Sequence, residues 1–327
     1  MVSIIPKVDA QTSEQPLVSV LMPAYQHEQF IEEAIKSVWN QTYRPLELLV
    51  CDDCSSDSSY DIARELSRSS PIPMTIIRNP VNLGICGTLN LLLARSSGEW
   101  IALLASDDFY AESFVARNME ALKEAGSKLV CVHSAAHRVN DHGAIIEAES
   151  TLTKPPLLGD AFWQIAEGSG RIVSPTFFTS RVVYERVGGF DETLRAEDFD
   201  LHLRTARIAP YHYIDEKHLF KREGMSGLGS ATSVWLDDVF VALSKHVDLD
   251  EARVNAVIDN RYPSLARRCG VLGESEPIGR LAAEYRERTG RSALSIWLEF
   301  ATGYSLRLAR SVIGPGTASR LIDRLRR

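Results

Sequence analysis

The chain has 327 residues, of which 45% are hydrophobic and 24% are charged, and its formal net charge at pH 7 is −7. The length and composition suit one large globular α/β domain, alone or with an appendage. The acidic balance argues against nucleic acid as the main partner, because nucleic-acid binding usually requires a basic face. Five cysteines, an odd number, favour a reducing, cytoplasmic setting over a disulfide framework.

The first residues do not resemble a secretory signal, because they contain one lysine and a short apolar stretch followed by acids. We therefore expect a flexible leader over residues 1–16. No run of about 18 apolar residues occurs, which predicts the absence of a transmembrane helix.

From residue 17 onward, strand patterns alternate with helix patterns. Apolar runs typical of buried strands occupy residues 17–23, 46–53, 74–79, 100–106 and 128–139. Apolar side chains at helical spacing occupy residues 28–41, 57–68, 87–97 and 112–126. This alternation predicts an α/β fold of right-handed βαβ units, with a mostly parallel sheet flanked by helices on both faces.

The pattern becomes irregular after about residue 141. Residues 180–209 then predict two helices joined by a turn at Gly188 and Gly189, and everything from about residue 230 onward is typical of helix. We therefore predict an α/β domain over residues 17–229 and a helical extension over residues 230–327.

Four polar segments, PAYQ, DDCSSD, NPVNLG and SDD, directly follow the first four predicted strands. Because ligands bind at the carboxyl ends of parallel strands, we predict that these segments form one site. Asp53 lies where a carboxylate can accept hydrogen bonds from the base or ribose of a nucleotide. The alternative is that the acids of DDCSSD only cap a helix, as Asp57 is expected to do.

Two further acid pairs need an explanation. A helix cap requires only one of Asp107 and Asp108, whereas Mg²⁺ or Mn²⁺ combines a few carboxylates with phosphate oxygens. Glu197 and Asp198 lie at the start of a predicted helix, where the helix dipole favours acids, and where one carboxylate could instead act as a general base. No HExxH, GxSxG or Walker motif occurs, which argues against a zinc site, a serine nucleophile and a phosphate loop.

Taken together, these segments resemble the family 2 glycosyltransferases, which have the GT-A fold. Residues 18–59 are similar to the opening of that family, with its P-x-Y-N and DDGSxD motifs. Residues 79–108 are similar to its N-x-G…DxDD segment, and residues 188–204 to its GGFDE…EDxDLxLR segment. The resemblance covers residues 18–226.

The resemblance implies the roles of individual residues. It implies a nucleotide-sugar pocket formed by Pro23, Ala24, Tyr25, Asp53, Asn82, Gly84 and Asp107. It implies that Asp108, with Asp107 beside it, binds the metal, and that Asp198 is the general base, with Glu197 as the second candidate. The implied reaction is a single in-line displacement that inverts the anomeric carbon. Three positions depart from the family pattern: Cys54 replaces a glycine, Ala105 an aspartate and Glu223 a histidine.

The sequence thus predicts a cytoplasmic, metal-dependent, inverting glycosyltransferase of polysaccharide biosynthesis. It would move a sugar from a nucleotide-diphosphate sugar, with a UDP-sugar favoured, to a glycan or lipid-linked acceptor. A non-catalytic nucleotide-sugar-binding subunit of a glycan-assembly complex is the alternative. A nucleotidyltransferase would need a Gly/Arg-rich loop after the first strand, which PAYQHEQF lacks.

The C-terminal residues are rich in arginine. One acid, Asp323, accompanies six arginines after residue 306, and aromatic and apolar residues precede them in the sequence. The arginines are Arg307, Arg310, Arg320, Arg324, Arg326 and Arg327. The aromatic and apolar residues near them are Trp297, Phe300, Tyr304 and Leu308. The pattern allows peripheral contact with the inner face of a membrane, or equally a helix that packs on the domain with a solvated basic face.

Overall fold

The computed structural model describes residues 15–146, 154–195, 197–222 and 232–313. Within these ranges, eight strands form one sheet: β1 Val18–Ala24, β2 Leu46–Asp52, β3 Met74–Arg78, β4 Trp100–Leu103, β5 Phe109–Tyr110, β6 Cys131–Val139, β7 Phe178–Ser180 and β8 Tyr211–Arg222. Their order across the sheet is β3-β2-β1-β4-β7-β6-β8-β5.

Eleven helices lie in the same described ranges: α1 Ile31–Trp39, α2 Ser59–Ser67, α3 Gly84–Arg95, α4 Phe114–Ala125, α5 Phe162–Ala166, α6 Arg181–Val187, α7 Glu197–Ala206, α8 Thr232–Ser244, α9 Glu251–Leu272, α10 Ile278–Thr289 and α11 Leu294–Ile313. In α1, the buried side chains Ile31, Ala34, Ile35 and Val38 recur at the spacing of one helical face. The alternation of strand and helix up to residue 125 is as the sequence predicted.

The β1 strand contributes to both faces of the sheet. Val20 and Met22 pack in an apolar cluster with side chains of α1 and α4, whereas Leu21 packs in a second cluster with side chains of α3. Successive side chains of a strand point to opposite faces. The uninterrupted apolar run of β1 therefore reflects a sheet that is covered on both sides, as predicted.

The sheet has a parallel half and a mixed half. The strands β3, β2, β1 and β4 pair in parallel. Beyond β4, the short β7 is antiparallel to both of its neighbours, β6 is parallel to β8, and β5 is antiparallel to β8. The predicted fifth strand is therefore β6, and it is separated from β4 by a strand that the sequence did not predict.

Three strands escaped prediction for identifiable reasons. The strands β5 and β7 have two and three residues, too few for a period-two pattern. The strand β8 has twelve residues, but exposed Asp215 and Glu216 interrupt its alternation, and its pairing with β6 shifts register beside Ala135. A register shift moves apolar residues to the other face and hides the strand pattern.

The helices α8–α11 confirm that the described part of the C-terminal region is helical. Leu243 of α8, Ile258 of α9 and Leu281 of α10 belong to the same apolar cluster as Leu21 of β1. The predicted domain boundary near residue 229 lies outside the described residues, as do residues 1–14 of the predicted leader. Among the described helices, none has the length and apolar character required to span a membrane.

Candidate functional site

The ends of the parallel strands are tied together at one edge of the sheet. The Asp53 N–H, just after β2, donates to the Ala24 carbonyl at 2.8 Å, and the Asn79 N–H donates to the Asp52 carbonyl at 2.8 Å. The Leu104 N–H, just after β4, donates to the Leu21 carbonyl at 3.0 Å. These bonds bring the polar segments after all four strands to the same edge, where the sequence predicted a site.

Asp53 lies at the centre of the nucleotide-pocket candidates. Its side chain is buried, and Oδ1 accepts hydrogen bonds from Asn79 Nδ2 and from the Leu83 N–H, both at 2.8 Å. Asn82 Nδ2 donates to the Asp53 carbonyl at 3.3 Å, while Asn82 Oδ1 accepts from the Gly84 N–H at 3.0 Å. The structure therefore brings Asp53, Asn82 and Gly84 together, and it fixes one oxygen of Asp53 within the protein.

Side chains of residues 55–59, which follow β2, accept hydrogen bonds from the backbone of the loop that follows β1. Ser55 Oγ accepts from the Gln26 N–H at 3.0 Å, and Ser59 Oγ accepts from the His27 N–H at 2.9 Å. Asp57 Oδ1 accepts from the Ser59 N–H at 3.0 Å, but the N-cap residue of α2 is Ser58, whose side chain makes no capping hydrogen bond. Pro23 and Ala24 end β1 at this edge of the sheet, and Tyr25, the first residue of the loop, has a side chain that is 46% exposed.

Asp108 is buried at the end of the turn after β4. Its Oδ1 accepts from the Arg222 N–H at 2.8 Å. Its Oδ2 lies 3.9 Å from Lys221 Nζ and has no hydrogen-bond partner within the described part of the chain. Burial raises the pKa of Asp108 to about 7, Asp107 adds to the rise, and the Lys221 ammonium opposes it.

Arg222 holds the same turn from the end of β8. Its guanidinium donates to the Asp107 carbonyl and to the Glu33 carboxylate, and it lies 4.6 Å from the centroid of the Phe30 ring and 5.1 Å from that of Phe109. This combination of hydrogen bonds and cation–π contacts fixes the Asp107 backbone. The strand β8 therefore positions Asp107 and Asp108, the acid pair that follows β4.

Glu197 and Asp198 form the first turn of α7. Ser174 Oγ donates to Asp198 Oδ2 at 2.7 Å, whereas Asp198 Oδ1 is buried and lacks a hydrogen-bond partner among the described residues. Burial, with the Asp198 charge as the next cause, raises the pKa of Glu197 to about 8. Near neutral pH the Glu197 carboxyl therefore keeps its proton.

One cavity extends from the first turn of α7 to the edge of the sheet. Glu197, Asp198 and Ser174 line it together with Pro23 and Ala105. Most of the remaining wall is apolar and comes from Ile85, Leu89, Leu103, Leu104, Pro175, Phe177, Phe190 and Leu201. The cavity thus places the candidate base beside the residues that follow β1 and β4.

The residues near Asp108 suit a hard divalent cation. A buried carboxylate oxygen without a partner, with a pKa raised by burial, is stabilised when a cation approaches it. Within the described ranges, no three His, Cys, Asp or Glu side chains form a metal-binding group. The protein would thus supply few ligands and leave the others to phosphate oxygens, as Mg²⁺ sites commonly do. Glu223 lies outside the described residues.

Sequence reasoning missed four residues that build this site: Ser174, Lys221, Arg222 and His27. His27 Nδ1 lies 2.8 Å from Ser106 Oγ, beside the acid pair. Arg222 and Lys221 belong to the unpredicted strand β8, and Ser174 lies in a 3-10 turn within the irregular region. Their roles depend on contacts between distant segments, for which the sequence alone gave no signal.

The model of glycosyl transferase family 2 matches residues 19–186, just over half of the chain. The chain belongs to this family. It is 29% identical over 232 residues to an uncharacterized glycosyltransferase of Rickettsia bellii, a match that covers 68% of this chain and 32% of that protein. It is 27% identical over 217 residues to the chondroitin synthase of Escherichia coli, with 64% and 29% covered. The family 2 chain thus spans about a third of the length of these curated relatives.

Solved structures establish the GT-A fold of the family 2 chain. S. aureus TarS 1–349 in complex with UDP-GlcNAc has a TM-score of 0.60 at 17% identity, and 90% of this chain and 91% of that chain are covered. The mannosyltransferase PcManGT of Pyrobaculum calidifontis, in complex with GDP-Man and Mn²⁺, has a TM-score of 0.57 at 17% identity, with 90% and 88% covered.

Proposed function

We propose that this family 2 chain is an inverting glycosyltransferase that moves a sugar from a nucleotide-diphosphate sugar to an acceptor hydroxyl. The observation that carries the proposal is the cavity in which Asp198 faces the sheet edge. Asp198 lines this cavity together with Pro23 and Ala105, and its Oδ1 lacks a partner within the described residues. A proton acceptor beside a nucleotide pocket is the arrangement that the reaction requires.

The proposed reaction is one displacement. The oxygen of the acceptor hydroxyl forms a bond to the anomeric carbon while the bond from that carbon to the diphosphate oxygen breaks. The proton of the hydroxyl passes to Asp198, and the nucleoside diphosphate leaves with the electron pair. Attack from the side opposite the leaving group inverts the anomeric configuration.

The chain's own groups prepare this step. The hydrogen bond from Ser174 orients the Asp198 carboxylate, and Asp53 with Asn82 shapes the proposed pocket for base and ribose. Asp108, with Asp107 beside it, would hold Mg²⁺ or Mn²⁺, which supplies charge neutralisation to the departing diphosphate. The PcManGT neighbour, whose complex contains Mn²⁺, supports this assignment.

The substrates are proposed more coarsely. A UDP-sugar is favoured, since the TarS neighbour is described in complex with UDP-GlcNAc, whereas GDP-Man in PcManGT supports a GDP-sugar as the second choice. The acceptor is a glycan or a lipid-linked glycan, in keeping with relatives named chondroitin and hyaluronan synthase. We also propose a cytoplasmic location, on the basis of the cysteine content.

The alternative is a subunit that binds nucleotide sugars without turning them over. Ala105 favours it, because the family pattern often has a carboxylate at that position. Binding without turnover would then be the whole function, and the cavity beside Asp198 would have no catalytic role.

The test is donor turnover with a matched pair of variants. The chain is incubated with UDP-, GDP- and dTDP-sugars and Mn²⁺, and the released nucleoside diphosphate is measured. We expect Asp198→Asn to lower turnover by about 10²- to 10⁴-fold, the range for a lost general base. Glu251→Gln, which also removes an acid from a first helical turn, should change nothing.

Full activity of Asp198→Asn would exclude the proposed base. If wild type binds UDP but turns over none of the donors, the binding-subunit alternative is supported instead.

A further inference from the structure

The outer face of α11 carries a continuous apolar stripe. We define the outer stripe as Leu294, Trp297, Leu298, Ala301 and Tyr304, all of which are exposed. The large members have exposed fractions of 62% for Leu294, 47% for Trp297, 58% for Leu298 and 45% for Tyr304. Their spacing of three and four residues places them on one side of the helix. Such a row on the surface of a protein marks an interaction site.

The opposite side of α11 is fixed against α9, so the helix cannot rotate to bury the outer stripe. A Cβ on Gly303 would lie 2.0 Å from the Arg267 carbonyl oxygen, and a Cβ on Gly270 would lie 2.1 Å from the Phe300 carbonyl oxygen. Arg267 also forms an ion pair with Glu299 at 2.5 Å. The two backbones therefore touch at glycines, and the outer stripe faces away from the domain.

The sequence around the outer stripe is strongly basic. Residues 291–327 contain seven arginines and two acids, Glu299 and Asp323, although the chain as a whole has a net charge of −7. Of the two acids, Glu299 is already paired with Arg267. These seven arginines and two acids give residues 291–327 a positive net charge, and the same segment includes the helix that exposes the apolar row.

We propose that the outer stripe of α11 lies on the surface of an anionic lipid bilayer, to which the positive net charge of residues 291–327 attracts the chain. Trp and Tyr are the aromatic residues that favour the boundary between headgroups and acyl chains, and leucines beside them bury apolar area there. Arginines gain from the negative potential of anionic lipids. This proposal stands independently of the proposed sugar transfer.

A second copy of this chain suits the outer stripe less well. In a two-fold interface the same patch meets itself, so two segments of the same positive net charge would be joined. Because residues 291–327 contain only Asp323 besides the paired Glu299, they offer too few carboxylates to balance these charges. An anionic bilayer supplies the missing negative charge.

The test is co-sedimentation of the full chain with lipid vesicles. We expect binding to vesicles of phosphatidylcholine with phosphatidylglycerol, weak binding to phosphatidylcholine alone, and loss of binding at high salt because the charges are screened. Trp297→Glu should lower the vesicle-bound fraction about tenfold, since it places a charge in the apolar row. The matched control is Val241→Glu, because Val241 of α8 is 46% exposed and lies outside the outer stripe.

Equal melting temperatures of the two variants would exclude unfolding as the cause of a difference, and Leu298→Glu provides a second variant should Trp297→Glu fail to fold. Binding of Trp297→Glu equal to that of wild type overturns the proposal, as does the absence of wild-type binding to the anionic vesicles. A dimer that light scattering detects in wild type but not in Trp297→Glu also overturns it, in favour of a second copy.

Discussion

Two pairs of aspartates follow strands of the same sheet, yet their surroundings differ. Beside β2, Asp52 Oδ2 accepts from the Ser55 N–H at 3.1 Å, and Asp53 Oδ1 accepts two hydrogen bonds at 2.8 Å. Beside β4, Asp108 Oδ1 accepts one hydrogen bond, while its buried Oδ2 has none within the described residues. Asp52 Oδ1 is likewise buried without a hydrogen-bond partner among the described residues, but Asp52 Oδ2 is paired with Arg78 Nε at 3.5 Å. Asp53 thus organises loops, whereas Asp108 offers an oxygen that a ligand can use.

This contrast shows that the same dipeptide can serve two purposes. The Asp53 carboxylate stabilises the fold in the absence of ligand, because its removal would leave two donors unsatisfied. The Asp108 carboxylate costs stability when it is charged, because the effect of burial on its pKa exceeds the opposing effects of Lys221 and Arg222. A carboxylate that destabilises the empty protein is the better candidate for binding a cation.

Among the variants that test this contrast, Asp108→Asn should have the largest effect, which is a loss of turnover. We expect turnover to fall by about 10²- to 10³-fold, comparable to the loss of one preorganised electrostatic group. In the absence of metal, the melting temperature of the variant relative to wild type should rise between pH 3.8 and about pH 7 and stay level above it, because over this range unfolded wild type releases the Asp108 proton that the folded protein keeps. Turnover and thermal unfolding measure the two effects, and a large loss of stability would contradict the contrast between the pairs.

A third acid pair, Glu197 and Asp198, tests whether burial raises the pKa of a carboxyl enough to make stability depend on pH. The pKa of Glu197 is raised from 4.5 to about 8. Between these pH values the unfolded chain has released the proton while the folded chain keeps it, so stability falls as pH rises, by up to about 1.4 kcal/mol per pH unit. Glu197→Gln should flatten this dependence in thermal unfolding from pH 5 to pH 8. An unchanged slope would mean that Glu197 is solvated.

A smaller effect is expected for Asp53→Ala. The change leaves the Asn79 side chain and the Leu83 N–H without their acceptor, so the free energy of unfolding should fall by about 1–3 kcal/mol. Urea denaturation measures the change, and Asp61→Ala in the exposed part of α2 is the control. Unaltered stability of Asp53→Ala would show that the first pair does not organise its loop.

The smallest effect is expected for Cys54→Gly, next to the first pair. Cys54 has a φ of 64°, in the left-handed region that glycine adopts without strain. Glycine should therefore raise the free energy of unfolding by at most about 1 kcal/mol, the size of effect known for matched backbone substitutions. Urea denaturation again provides the measurement. A loss of stability would mean that the contact between Cys54 Sγ and the Pro80 carbonyl outweighs the strain.

The sequence predicted the parallel half of the sheet because its signals are local. The apolar run of β1 and the helical spacing of α1 are each visible within a dozen residues, and the acids at strand ends follow directly. The edge at which Asp53, Asp107 and Asp108 lie could therefore be predicted without coordinates. Their roles in binding remain predictions.

The mixed half of the sheet depends on contacts between distant segments. Ser174 bonds to Asp198 across 24 positions of the sequence, and Arg222 bonds to Asp107 across 115. Neither partner belongs to a motif, because a serine in an irregular segment and an arginine at a strand end have many uses. Only the packing of β8 beside β5 brings Arg222 to the acid pair.

The division of roles between the two aspartate pairs is tested most directly by UDP binding, measured calorimetrically with and without Mn²⁺ in wild type and in Asp108→Asn. We predict that Mn²⁺ tightens UDP binding to wild type by at least about tenfold, and that Asp108→Asn binds UDP weakly whether or not Mn²⁺ is present. Equal tightening by Mn²⁺ in both proteins would contradict the assignment of the cation to the acid pair after β4.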